Sequence, residues 1–93
     1  MQATATDTEP LELTFKLYAS LAEYLPSEAS RNIVTINVPA SASVFDVLDR
    51  YRVPRESAHL VLINGVYVEP DDRDKPIFNN GDVLAVWPPV AGG

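Results

Sequence analysis

No cysteine occurs among the 93 residues of this chain. A disulfide framework, a thiolate zinc site, a cysteine-ligated iron–sulfur cluster and a catalytic thiol are therefore excluded. Histidine is nearly as scarce: His59 stands alone, which removes most zinc enzymes and leaves any Ser-His-Asp triad resting on one side chain. Basic charge is thin as well. Lys and Arg number 7 against 13 Asp and Glu, a formal charge of −6. Nucleic acid and anionic membrane both select a basic footprint, so neither is expected as a partner. A partner with a basic surface is. No apolar run approaches the length of a membrane span, and the N-terminus carries neither the cationic start nor the apolar stretch of an export signal. The expected compartment is the cytoplasm.

What remains is the composition of one small soluble domain, 46% hydrophobic and 22% charged. Residues 1–10 are small, polar and acidic, and read as a flexible N-terminal tail. Residues 11–88 form the expected domain, and residues 89–93 a projecting C-terminal tail.

Within the domain the hydrophobic period changes several times. Leu13, Phe15 and Leu17 alternate with polar residues over Glu12 to Tyr18, the pattern of a half-buried strand. Ser20 and Glu23 have capping-box spacing, Leu21, Tyr24 and Leu25 follow at helical intervals, and Pro26 ends this short helix. Val34, Ile36 and Val38 mark a second strand. Ser43 and Asp46 repeat the capping spacing before Val44, Val47, Leu48 and Tyr51, the best-defined helix in the chain. Leu60 to Ile63 and Val66 to Val68 flank Asn64-Gly65, a hairpin signal because both turn residues need positive φ. Residues 69–74 read as a charged loop with one irregular helical turn. Asn79 to Asp82 form a turn that launches a last strand, Val83 to Trp87.

One main helix on a mixed sheet of four to five strands is an α+β, two-layer architecture, a β-grasp in outline. The helix between the second and third strands acts as a crossover, so a parallel pair is expected.

The four glycines are informative in their placement. Gly65 and Gly81 follow asparagines in turns. Gly92 and Gly93 close the sequence, an ending that chance would supply in roughly 0.5% of chains. Before them, Pro88-Pro89 lacks backbone donors and cannot extend a sheet ladder. It favours an extended exit that projects Val90, Ala91, Gly92 and Gly93. A stalk, a short apolar grip and two residues without Cβ can thread a narrow tunnel and present a carboxylate to another protein's active site. The chemical handle is then the main-chain end at Gly93.

Trp87-Pro88-Pro89-Val90-Ala91-Gly92-Gly93, preceded by Asn80-Gly81-Asp82-Val83-Leu84-Ala85-Val86, resembles the C-terminal signature of the ubiquitin-like sulfur carriers. That family includes the small subunit of molybdopterin synthase and the thiamin-pathway carrier. The Phe15-to-Leu25 opening and the Pro-Pro pair look more like the former; Ile63 to Val68 and the acidic loop after it look closer to the latter. The resemblance implies that an E1-like activating enzyme adenylates Gly93 with ATP. Sulfur then replaces oxygen, and the thiocarboxylate serves molybdenum-cofactor synthesis in molybdopterin synthase, through its large subunit, or another sulfur-accepting enzyme. Gly92 keeps the tunnel passable. The chain itself is then not an enzyme, binds no cofactor or metal, and supplies no catalytic side chain. A protein modifier joined through Gly93 to target lysines uses the same activated end, and an interaction domain with an inert terminus is a third reading.

Leu60 to Ile63 and Val83 to Trp87 are apolar on both strand faces, although a sheet covered on one side alternates. Either Val83, Ala85 and Trp87 or the opposite parity, Leu84 and Val86, forms a partner-docking patch, or both faces are covered by the first helix and loops. Asp71-Asp72-Arg73-Asp74 lacks cation-ligand spacing and reads as a solvated loop. His59 reads as structural or surface-exposed.

Overall fold

A computed structural model describes residues 10–89. The alternating Leu13, Phe15 and Leu17 are fully buried along one face of β1 (Pro10–Leu17). Pro10, assigned to the tail from the sequence, is the first residue of this strand, a position where a missing N–H is tolerated. β2 (Ile33–Pro39) alternates perfectly, with Val34, Ile36 and Val38 inward. It pairs antiparallel with β1 from Lys16 opposite Ile33 to Pro10 opposite Pro39.

The main helix, α1 (Val44–Arg50), begins as expected. Ser43 Oγ accepts from the Asp46 N–H at 3.1 Å, and Asp46 Oδ2 accepts from the Ser43 N–H at 2.9 Å. This reciprocal pair satisfies two otherwise orphaned donors. Val44, Val47 and Leu48 are buried beneath it. The helix ends with Arg52 N–H on Asp49 O and Val53 N–H on Leu48 O, and Arg52 takes a φ of 63°. That is a Schellman ending with arginine at the left-handed position usually given to glycine.

The Ser20–Glu23 spacing does not produce a second such helix. Ala19–Tyr24 is a 3-10 helix whose N-cap is Tyr18, with no side-chain cap. Tyr18 N–H is still committed to the sheet, donating to Val86 O at 3.1 Å. The chain then turns sharply at Ala19 (φ 55°), leaving Ser20 inside the first turn instead of before it.

β3 (Leu60–Ile63) and β4 (Val66–Tyr67) form the Asn64-Gly65 hairpin, with φ of 53° and 84° at the turn. Val68 lies beyond β4, although its N–H donates to Val61 O at 2.9 Å. A single 3-10 turn occupies Pro70–Asp72, and β5 (Val83–Trp87) completes the sheet.

The strand order is β2-β1-β5-β3-β4. β5 enters the centre, parallel to β1 and antiparallel to β3. The hydrogen-bonded parallel pair is thus the first strand with the last. The α1 crossover instead carries β2 to β3 across two intervening strands. This five-stranded mixed sheet with one main helix is the ubiquitin-like β-grasp. Its core joins the inward residues of β1, β2, β3 and β5 to Val44, Val47 and Leu48 of α1.

Candidate functional site

β5 is the element that leads to the C-terminus, and its placement governs the site. Leu84 and Val86 are fully buried among the core residues. Val83, Ala85 and Trp87 therefore face away from α1, which removes Leu84 and Val86 as a docking patch. Register extends this outer face. Ala85 lies between Lys16 of β1 and Leu62 of β3, Leu62 is followed by Tyr67 of β4, and Trp87 opposes Leu60.

The covering supposed for this face does not come from the short first helix. Leu21 belongs to the core, and Tyr24 and Leu25 pack against it. Flanking side chains do part of that work: Ala85 is buried, while Val83 and Trp87 are half-buried. The expected patch is thus a shallow apolar face, with Ala85 as its floor rather than a projection.

The last sheet residue is tightly held. Trp87 O accepts from the His59 N–H at 2.9 Å. Its indole stacks on the Tyr18 ring with centroids 4.2 Å apart and planes 1° from parallel. Pro88 is half-buried and Pro89 exposed. Because neither proline has an N–H to donate, the ladder ends where Trp87 meets Leu60. Val90, Ala91, Gly92 and Gly93, including the proposed chemical handle, lie outside the described residues.

His59 is exposed, in accord with the sequence reading. The Asp71–Asp74 run is only partly the solvated loop expected. Arg73 turns inward and is 6% exposed. Its Nε donates to Val68 O at 3.1 Å, and its terminal nitrogens donate to Ala58 O at 2.9 Å, His59 O at 3.4 Å and Tyr67 Oη at 3.3 Å. This clamp ties the acidic loop to the segment before β3, beside the root of the C-terminal segment. Sequence reasoning missed both Arg73 and the Tyr18–Trp87 stack, since each depends on contacts between distant segments.

Ion pairs on the surface shift a few groups. The Arg55 guanidinium, bonded to Asp49 at 2.7 and 3.2 Å, holds the Asp49 carboxyl below its usual range. Asp72, 3.1 Å from Lys75, raises the Lys75 ammonium. Among the described residues no His, Asp or Glu cluster is arranged to hold a metal ion, and no helix is long and apolar enough to cross a membrane.

The family model described as Mut7-C ubiquitin matches residues 11–92. The chain belongs to the Mut7-C ubiquitin family. Solved structures agree with the membership. The Haloferax volcanii HVO 2177 protein is 26% identical with a TM-score of 0.70, over 90% of this chain and 88% of its own. SAMP1 from the same organism is 28% identical with a TM-score of 0.60, over 88% of this chain and 99% of its own. Small archaeal modifier protein 1 of Methanosarcina acetivorans, 22% identical with a TM-score of 0.60, covers 91% of this chain and 99% of its own, and bears on the fold alone. No curated protein matches this Mut7-C ubiquitin chain.

Proposed function

We propose that the chain is a ubiquitin-like sulfur carrier acting through the carboxyl group of Gly93. A carboxylate resists substitution until one oxygen becomes part of a good leaving group. In the proposed sequence, an E1-like partner lets a Gly93 carboxylate oxygen attack the α-phosphorus of ATP, and pyrophosphate leaves. Hydrosulfide then attacks the acyl carbon and AMP leaves, giving a thiocarboxylate. The thiocarboxylate sulfur adds to an electrophilic unsaturated carbon of the acceptor, and the displaced π-electron pair takes up a proton. Water then hydrolyses the resulting thioester, leaving the sulfur on the acceptor as a thiol and restoring the Gly93 carboxylate. ATP belongs to the partner, and the carrier contributes no catalytic side chain.

The observation that carries this reading is the route of β5. The central strand runs through the anchored Trp87 into Pro88-Pro89, and Val90-Ala91-Gly92-Gly93 follow in the sequence. Family membership supports it. The outer face of Val83, Ala85 and Trp87, with Leu60 and Leu62 beside it, is the proposed docking surface for the activating enzyme and then for the acceptor. The Phe15-to-Leu25 opening and the Pro-Pro pair favour the large subunit of molybdopterin synthase as acceptor, with a thiamin-type pathway as the alternative.

A second reading, a protein modifier joined to lysines through Gly93, is favoured by the similarity to solved structures described as small archaeal modifier protein 1. Intact-mass measurement after incubation with the cognate activating enzyme, ATP and a sulfur donor tests the carrier. An oxygen-to-sulfur shift confined to the C-terminal peptide is expected. Its absence, together with conjugates to lysine in cells, would establish the modifier instead.

A further inference from the structure

The two edges of the sheet are guarded unequally. On β2, Ile33 exchanges both backbone bonds with Ser30, at 2.9 and 3.1 Å, and an Arg50 guanidinium N–H occupies Asn37 O at 2.6 Å. Pro39 ends that strand. Such devices keep foreign strands away. Among the described residues β4 has none of them, only its two-residue length. The Val68 N–H bonds to Val61 O, so by antiparallel alternation Tyr67, one residue earlier, turns its N–H and C=O outward.

Beside this open edge lies a hollow of about 270 Å³ lined by Ile63, Val66, Tyr67, Val68, Asp72 and Ile77. Three of the four exposed large hydrophobic residues among those described meet there: Val66 at 68%, Tyr67 at 44% and Ile77 at 37%. Apolar residues concentrated on an unguarded edge mark a docking surface. The loop beside it is acidic, with Glu69, Asp71 and Asp74 exposed and Asp72 on the wall. Lys75 offsets only Asp72, with which it is paired, and Arg73 points into the interior, so Glu69, Asp71 and Asp74 leave the loop surface acidic.

We propose that the β4 edge and this hollow bind an extended peptide segment bearing an apolar side chain flanked by Lys or Arg. Tyr67 supplies one backbone donor and one acceptor, the hollow takes the apolar side chain, and the acidic loop meets the flanking cations. The surface adjoins the Val83, Ala85 and Trp87 docking face through Leu62 and Tyr67, but it lies at the sheet edge and the inference does not depend on the chemistry of Gly93.

Titration of the isotope-labelled full chain with a short synthetic peptide alternating lysine and valine tests this by NMR. Saturable amide shifts are expected at Gly65, Val66, Tyr67 and Ile77, with the β2 edge unmoved. Val66→Ser should weaken binding about fivefold through lost apolar contact. Asp71→Asn with Asp74→Asn should weaken it also, and more at low salt than at high salt. All three substitutions alter exposed side chains, so the amide spectrum of each free variant should remain that of the folded protein. Absence of saturable shifts at β4, shifts centred on Ile33 to Asn37, or equal binding of a glutamate–valine peptide would each overturn the proposal.

Discussion

Arg73 carries a full charge into the interior, and among the described residues its hydrogen-bond partners are carbonyl and hydroxyl oxygens. Its guanidinium fork serves the acceptors of three chain positions and a phenol at once, a geometry the lysine ammonium cannot reproduce. Arg73→Met would leave Ala58 O and Val68 O without these donors. We expect a loss of about 2–4 kcal/mol, read as a lower urea midpoint, with Arg73→Lys restoring only part of it. A midpoint within error of the parent would mean that the clamp contributes nothing. The sequence gives no warning of this role, because Arg73 sits in a run whose other members are acidic and solvated. Arg52 offers the opposite case. It is exposed and holds a φ of 63°, which costs an L-residue about 1 kcal/mol relative to glycine. Arg52→Gly should therefore raise the urea midpoint by up to about 1 kcal/mol in stability, and a fall would show that the arginine side chain compensates for its strained backbone.

At the scale of elements, the same capping spacing had two outcomes. Ser43 and Asp46 stand before a run whose Val44, Val47 and Leu48 find a buried face, so local and tertiary preferences agree. Ser20 and Glu23 follow a residue still bonded into the sheet, and the backbone reversal at Ala19 leaves no place for a cap. Strands were legible where one face is buried and the other wet, as in β1 and β2. They were ambiguous in β5, where only the register to β1 and β3 decides which side chains enter the core. With just seven residues, α1 depends on packing more than on its own propensity. Leu48→Ala should cost about 2–5 kcal/mol in urea unfolding, since Leu48 is fully buried. Ser43→Ala should cost about 1 kcal/mol, and the two losses should combine less than additively if the cap and the packed face hold one helix together. A negligible Leu48→Ala effect would remove α1 from the core.

For the whole molecule, two surface ion pairs make pH-dependent contributions to stability. Asp49 is held below the usual carboxylate range by Arg55, so its favourable contribution is complete above that range and is lost as pH falls through its lowered value. Lys75 is raised by Asp72, so its contribution is complete below the ordinary lysine range and fades as pH rises through the raised value. These groups predict a flat stability profile from about pH 5 to pH 9, declining on both sides, with salt reducing each decline because the pairs are exposed. A midpoint that changes steeply near neutrality would implicate a different group. The order β2-β1-β5-β3-β4 gives the C-terminal side of the chain two separable duties. β5 joins the β1–β2 pair to the β3–β4 hairpin, yet the last fully buried residue among those described is Val86. Deleting Gly93 removes no residue of that core. The thermal midpoint of the deletion variant should thus match the parent within about 1 °C, while adenylation, followed by ATP–pyrophosphate exchange with the activating enzyme, should disappear. Gly92→Val should also keep the midpoint and lose exchange, because a branched side chain would obstruct a narrow tunnel. Unfolding of either variant would place the terminal glycines among the residues that hold the domain together. Full exchange by both would show that the activating enzyme does not require the Gly92-Gly93 ending.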